Sequence, residues 1–202
     1  YKIEIYNKGT NFLKGSDFGL FRVEEATRYR YAKLIANGKK IPEVDKRIQY
    51  PEGLKVKKHF TITSGLLLGY SYRILGLKKF IPFHVWVIFF MFFYSSLTIF
   101  PLYLIARFYS NILPSLLAVL FYAGSFSSYS RTVAGGLVEE DIAIFPMFLT
   151  IYLFLLYYKN KKKILFPVIT ILTIYFLSGW HVSQFLYLIP VSYTHLTLPT
   201  KA

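Results

Sequence analysis

The chain has 202 residues, of which 54% are hydrophobic and 20% aromatic, with a formal net charge of +14 and no cysteine. That composition excludes a disulfide framework and a cysteine-based metal site. It argues against an ordinary soluble domain as well, because the apolar residues gather beyond Phe80 into four long runs without Lys, Arg, Asp or Glu.

The charge is equally uneven. The first 80 residues hold 17 Lys and Arg against 7 Asp and Glu. A basic, aromatic protein can bind nucleic acid, but here the aromatics sit inside the apolar runs and not beside the charges. Nucleic acid is therefore not an expected partner. A basic segment held at a bilayer meets anionic lipid head groups or a lipid pyrophosphate instead.

In chain order, residues 1–79 read as a loop-rich first outer region, entered mid-loop at Tyr1, with the true N-terminus expected upstream. One helix is predicted within it, over Phe21 to Asn37. Its apolar positions are Phe21, Val23, Ala26, Tyr29, Ala32, Ile35 and Ala36, and Asn37-Gly38 supplies a C-terminal stop. Ile41-Pro42-Glu43 and Tyr50-Pro51-Glu52-Gly53 read as turns or connectors. The stretch Phe60 to Leu77, interrupted by Arg73, is expected to be an interfacial or partly buried helix.

Residues 80–190 carry the predicted membrane helices. The four candidate spans are Ile81–Ala106, Ile112–Tyr129, Ile142–Tyr158 and Ile164–Pro190. His84 and His181 stand alone in apolar surroundings and read as packed helix residues. Lys159, Lys161, Lys162 and Lys163 follow the third span, and a short basic loop stays cytoplasmic. The loop at 130–141 and the first region then lie outside. The basic first region runs against a simple charge count, which long translocated segments escape. Val191 to Ala202, VSYTHLTLPTKA, resembles the translated end of a sequencing adapter and is set aside from fold reasoning.

Two acidic clusters are the candidate chemistry. Glu139, Glu140 and Asp141 are the only acids after Glu52, and they sit where the outer loop enters the third span. Acids at a helix start favour the helix dipole, and that is the plain reading. Three in a row exceed what capping requires, and carboxylates at a membrane border are usually paired, hydrated or metal-bound. Glu24 and Glu25 open the first-region helix, with Arg28, Arg30 and Lys33 close behind. Their plain reading is an exposed face with ion pairs four residues apart. If the clusters meet across the two loops, hard oxygen ligands suit Mg2+ or Mn2+. No dinucleotide, Walker or nucleophile-elbow motif is present.

Several of these pieces resemble one family. Ser130-Arg131-Thr132-Val133-Ala134-Gly135, continuing to Ile142-Ala143-Ile144-Phe145, is similar to the second outer-loop motif of the oligosaccharyltransferase catalytic subunit. Glu24 to Lys33, EEATRYRYAK, resembles the first-loop stretch that opens on a metal-binding acid and runs into a Tyr-Arg pair, here Tyr29-Arg30. Ile41–Asp45, Tyr50–Gly53 and Ser178–Pro190 resemble later pieces in the same order. The resemblance implies an all-α polytopic membrane fold of the GT-C glycosyltransferase type, with about four transmembrane helices in this chain.

It implies transfer of an oligosaccharide from a polyprenyl-linked donor to an acceptor asparagine, at the outer face of a membrane, expected to be that of a prokaryotic cell. The fragment alone is expected to be inactive. Glu24, Glu140 and Arg131 become the implied catalytic residues. Glu24, Glu139, Glu140 and Asp141 become the implied ligands of Mn2+ or Mg2+, with Glu25 and Arg30 in support. The sequence departs from the family at two points: Val138 stands where the first acid of an acid-x-acid pair belongs, and Glu24 replaces an aspartate. The alternatives are another lipid-linked glycosyltransferase, such as an O-mannosyltransferase-like enzyme, or a non-enzymatic transporter or scaffold. A transporter would be expected to carry charges inside its spans.

Overall fold

The structure, a computed structural model, describes residues 21, 23–48, 50–126 and 137–180. It is built mainly of helices. In the first region α1 spans Val23–Ala36, a short hairpin pairs β1 (Val44–Asp45) with β2 (Leu54–Lys55), and α2 (Val56–His59) leads to α3 (Thr63–Ile74). The apolar part follows as α4 (Phe83–Ser96), α5 (Ile99–Tyr109), α6 (Ile112–Gly124), α7 (Glu139–Asn160) and α8 (Leu165–Gly179).

The predicted stop of α1 is present, one residue earlier than the periodicity placed it. Gly38 takes φ 75°, the left-handed conformation that glycine adopts without steric cost. This turn lets the Gly38 and Lys39 amides donate to the Ile35 and Leu34 carbonyls, each at 2.8 Å, satisfying helix-end acceptors. The antiparallel hairpin was not predicted. Its register sets Val44 opposite Lys55 and Asp45 opposite Leu54.

Two stretches are long and apolar enough to cross a membrane. Phe83–Tyr109, formed by α4 and α5 together, has 27 residues and a mean hydropathy of 1.9. Glu139–Asn160 has 22 residues and a mean hydropathy of 1.7. Either exceeds the ~20 residues that a helix needs to cross the hydrocarbon layer. The helices α6 and α8 are apolar but shorter, at 13 and 15 residues. The predicted second and fourth spans continue to Tyr129 and Pro190, beyond the described residues. Large side chains such as Phe89, Phe93, Phe100, Leu120, Phe121, Phe154 and Ile171 project outward from these helices. An aqueous surface does not hold such a density of exposed aromatic and branched groups, whereas lipid does.

Small residues decide how α1 sits. It lies along α3, whose Gly65 and Gly69, four apart, face Ala32 and Ile35. A β-carbon on Gly69 would come within 2.6 Å of the Ile35 β-carbon and 2.7 Å of the Ala32 carbonyl oxygen. Only glycine allows that approach. The predicted partly buried helix is therefore α3: Ser64, Gly65, Leu68, Gly69 and Tyr72 are buried, while Leu66, Tyr70, Arg73 and Ile74 are exposed.

The core forms where α1 and α3 meet the starts of α4 and α7. Phe21 stacks on Tyr29 at 4.3 Å, Tyr29 meets Phe83 at 5.4 Å, and Tyr72 meets Phe83 edge-on at 5.1 Å. Leu68, Val87, Leu137 and Ile142 fill the space around these rings. Among the membrane helices, α7 packs against α8, α5 and α4. This core fixes the first-region helix over the point where α7 begins.

Candidate functional site

The two acidic clusters do meet, through an arginine. Glu24 and Arg28 lie one turn apart on α1, and Arg28 Nη2 donates to Glu24 Oε2 at 3.3 Å. The same nitrogen donates to Glu139 Oε1 at 3.1 Å, across 111 positions of sequence. Arg28 Nη1 donates to the Leu137 carbonyl at 3.1 Å. From a third segment, the Thr61 hydroxyl donates to Glu139 Oε1 at 2.5 Å. One guanidinium thus holds the first helix, Leu137 just before α7 and the first residue of α7, while Thr61, before α3, braces the same carboxylate.

Burial separates the two ion pairs. The side chains of Arg28 and Glu139 are each 10% exposed, whereas that of Glu24 is 67% exposed. An exposed i,i+4 pair contributes about 0.3–0.5 kcal/mol. Breaking a buried pair costs about 3–5 kcal/mol, because one charge is left without compensation. The Arg28–Glu139 contact therefore governs the junction.

Helix phase explains why Glu139 is the acid that meets the first region. Val138, in extended backbone, precedes α7, so Glu139 is its first helical residue. At 100° per residue, Glu139 shares a face with Ile142, Ala143, Pro146 and Thr150, all buried. Asp141 is turned by about 160° from Glu139 around the helix. It is itself buried, and Glu140 between them is half-buried. Glu140, Asp141 and Glu25 each have interaction partners of their own.

Arg30, the implied support residue, turns to the hairpin. It is ion-paired with Asp45 of β1, and Tyr31 donates its hydroxyl to Asp45 Oδ2 at 3.0 Å. The Arg47 amide donates to Asp45 Oδ1 at 3.0 Å, so this buried carboxylate is bound on both oxygens. Burial pushes the Tyr31 phenol up from its usual range, while the neighbouring Arg30 charge pulls the other way. The Arg30–Asp45 pair ties α1 to the hairpin. His84 is buried in α4, as a packed helix histidine would be. Arg131 and His181 lie outside the described residues, as do residues 191–202.

The carboxylates that meet do not form a site for a divalent ion. Among the described residues no three His, Asp or Glu side chains gather to hold a metal. Glu24 and Glu139 converge on a guanidinium, and a cation placed between them would face that positive charge. Like unit charges about 4 Å apart repel by about 4 kcal/mol at an effective dielectric near 20, and a divalent ion roughly doubles this. Glu139 and Asp141, about 160° apart around α7, diverge and do not face one point from that helix. Val138, at the place where the resemblance puts the first acid, has no side-chain ligand atom.

A helical protein with membrane-length apolar helices, and with two loop regions joined by charged groups at their border, belongs among integral membrane proteins. More narrowly, the chain belongs to the family described as oligosaccharyl transferase STT3, N-terminal, whose model matches residues 45–198. The match covers well over half of the chain, including the second loop and α7. Its first residue is Asp45, so α1 with Glu24 and Arg28 precedes the matched segment. None of the curated proteins compared with the chain matches it significantly. The family catalyses oligosaccharyl transfer, a glycosyltransferase reaction.

The residue that sequence reasoning passed over is Arg28. Its spacing from Glu24 marked it only as the partner in a surface ion pair. No local signal in the sequence separates Arg28 from the other basic residues of α1, because its second carboxylate lies 111 positions away. Choosing Glu139 over Glu140 was possible only once the first residue of α7 was known.

Proposed function

We propose that this chain is the membrane-embedded N-terminal part of an enzyme that transfers an oligosaccharide from a polyprenyl-pyrophosphate donor to an acceptor asparagine. The observation that carries this reading is the family match over residues 45–198, which takes in the 130–141 loop and the helix it feeds. In this reading α1 and the start of α7 stand at the extracytoplasmic face, beside the anionic head of the donor. Glu140 is the acceptor-facing carboxylate, because Glu139 is committed to Arg28 and Thr61. An ionised carboxylate there accepts hydrogen bonds from the acceptor carboxamide and holds its nitrogen toward the sugar carbon. Arg131, on the loop before it, is the orienting cation that the family resemblance assigns.

The test is a transfer assay with the full-length protein in membranes. A peptide carrying Asn-X-Thr and a polyprenyl-pyrophosphate glycan are the substrates, with mass spectrometry of the peptide as readout. A glycan mass on asparagine is expected, and Glu140→Gln should lower the rate by about 10²-fold or more, the scale of one positioned polar group. A peptide that stays unmodified with every lipid-linked donor, or Glu140→Gln at the wild-type rate, refutes the reading.

Topology gives a separate expectation. Glu52 and Lys161 are both exposed, in the first region and after α7. A cysteine at Glu52 should react with an impermeant thiol reagent from outside intact cells. A cysteine at Lys161 should react only after permeabilisation, since the basic cluster there stays cytoplasmic. The reverse pattern inverts the orientation.

A further inference from the structure

We infer that Arg28 is a built-in cation that clamps the first region to the start of α7, so that this junction forms without a divalent metal ion. The inference rests on the contacts of Arg28 and not on the transfer reaction proposed above. Its guanidinium serves three acceptors, one on its own helix and two on the distant segment that opens α7: Glu24 Oε2 at 3.3 Å, Glu139 Oε1 at 3.1 Å and the Leu137 carbonyl at 3.1 Å. A planar fork of five donors holds these acceptors in a fixed geometry, which a lysine ammonium, with three donors on a flexible stem, does less well. Two carboxylates from separate loops repel unless positive charge stands between them. Arg28 supplies that charge from within the chain, at 10% side-chain exposure.

The same placement excludes a metal from the position. A divalent ion on Glu24 and Glu139 would have to displace the guanidinium, which would lose both carboxylates and the Leu137 carbonyl together. An arginine so deeply buried has nowhere hydrated to go at low cost. The surrounding residues agree with an arginine-centred junction: Thr61 completes Glu139 by donating a hydrogen bond, as a neutral group beside a satisfied ion pair does, and the side chain of Val138 carries no oxygen. Arg28 is therefore a positioning residue. It sets the start of α7, and with it the neighbouring carboxylates, from a distance.

Hydrogen–deuterium exchange of the full-length protein in detergent tests the clamp, read on the peptide that covers 137–145. EDTA, or added Mn2+ or Mg2+, should change wild-type exchange by less than about twofold. Arg28→Gln should speed it by about tenfold or more, because a buried charge pair is broken. Should Arg28→Gln fail to fold, Arg28→Lys takes its place. It keeps the charge but not the fork, and exchange should rise by about threefold or more. Acceleration by EDTA in the wild type overturns the inference, since a bound ion would then be holding the loops. Unchanged exchange in the arginine variants overturns it equally. Neither readout involves a glycan, so a failure here is distinguishable from a failure in the transfer assay.

Discussion

Replacing Gly69 with alanine should destabilise the protein by about 1–3 kcal/mol, and with valine by more, the range for overpacking a close contact. The added β-carbon would stand 2.6 Å from the Ile35 β-carbon and 2.7 Å from the Ala32 carbonyl, and neither neighbour is the free end of a flexible chain. The helix α1 would have to move off α3, and Arg28 would move with it. Gly65→Ala should behave oppositely. Its nearest atom is the Ala32 amide nitrogen at 3.6 Å, an ordinary contact. The substitution should therefore be neutral or stabilising by up to about 1 kcal/mol, from the better helix propensity of alanine. Thermal unfolding in detergent separates the two. A Gly69→Ala protein as stable as wild type would mean that α1 does not lie against α3 as described.

The second large effect is expected at Glu139. Glu139→Gln keeps the shape but removes the charge that Arg28 faces in a mostly buried position. A loss of about 2–3 kcal/mol is expected, below the full cost of an orphaned buried charge because Glu24 still neutralises the guanidinium. Glu24→Gln should cost no more than about 0.5 kcal/mol, because that carboxylate is 67% exposed and screened by water. A double-mutant cycle with Arg28 makes the comparison sharper. The coupling to Glu139 should exceed the coupling to Glu24 several-fold, although both carboxylates meet the same nitrogen. Equal couplings would show that burial does not govern this junction.

Together these expectations describe a chain whose loop geometry depends on close packing first and on charge second. Gly65 and Gly69 admit α1, the aromatic cluster of Phe21, Tyr29, Tyr72 and Phe83 holds it, and only then does Arg28 reach the start of α7. A variant that disturbs the packing should therefore also disturb the charged contacts, whereas Glu24→Gln should leave the packing intact.

Much of this was legible in the residues alone. Uncharged runs of membrane length mark a polytopic protein, since charge and unpaired backbone are both costly in hydrocarbon. The Asn37-Gly38 stop and the apolar positions of α1 located the first-region helix to within two residues at its start. Collinear loop motifs pointed to the family that the match over 45–198 then showed. The acids at the start of α7 stood out because no others follow Glu52.

The tertiary structure alone decided which charged groups meet. The sequence singled out Glu140 and grouped Glu139 and Asp141 with it only as metal ligands, but the backbone entering α7 through extended Val138 sets the phase that turns Glu139 inward. The charges on α1 also looked alike in sequence. Arg30 goes to Asp45, fourteen residues beyond its neighbour Tyr31, whereas Arg28 spans 111 positions to Glu139. Local pattern carries the period of a helix and the chemistry of its residues. It carries neither the phase at which a helix starts nor the approach of segments a hundred residues apart, which here depends on the absence of a β-carbon at Gly69.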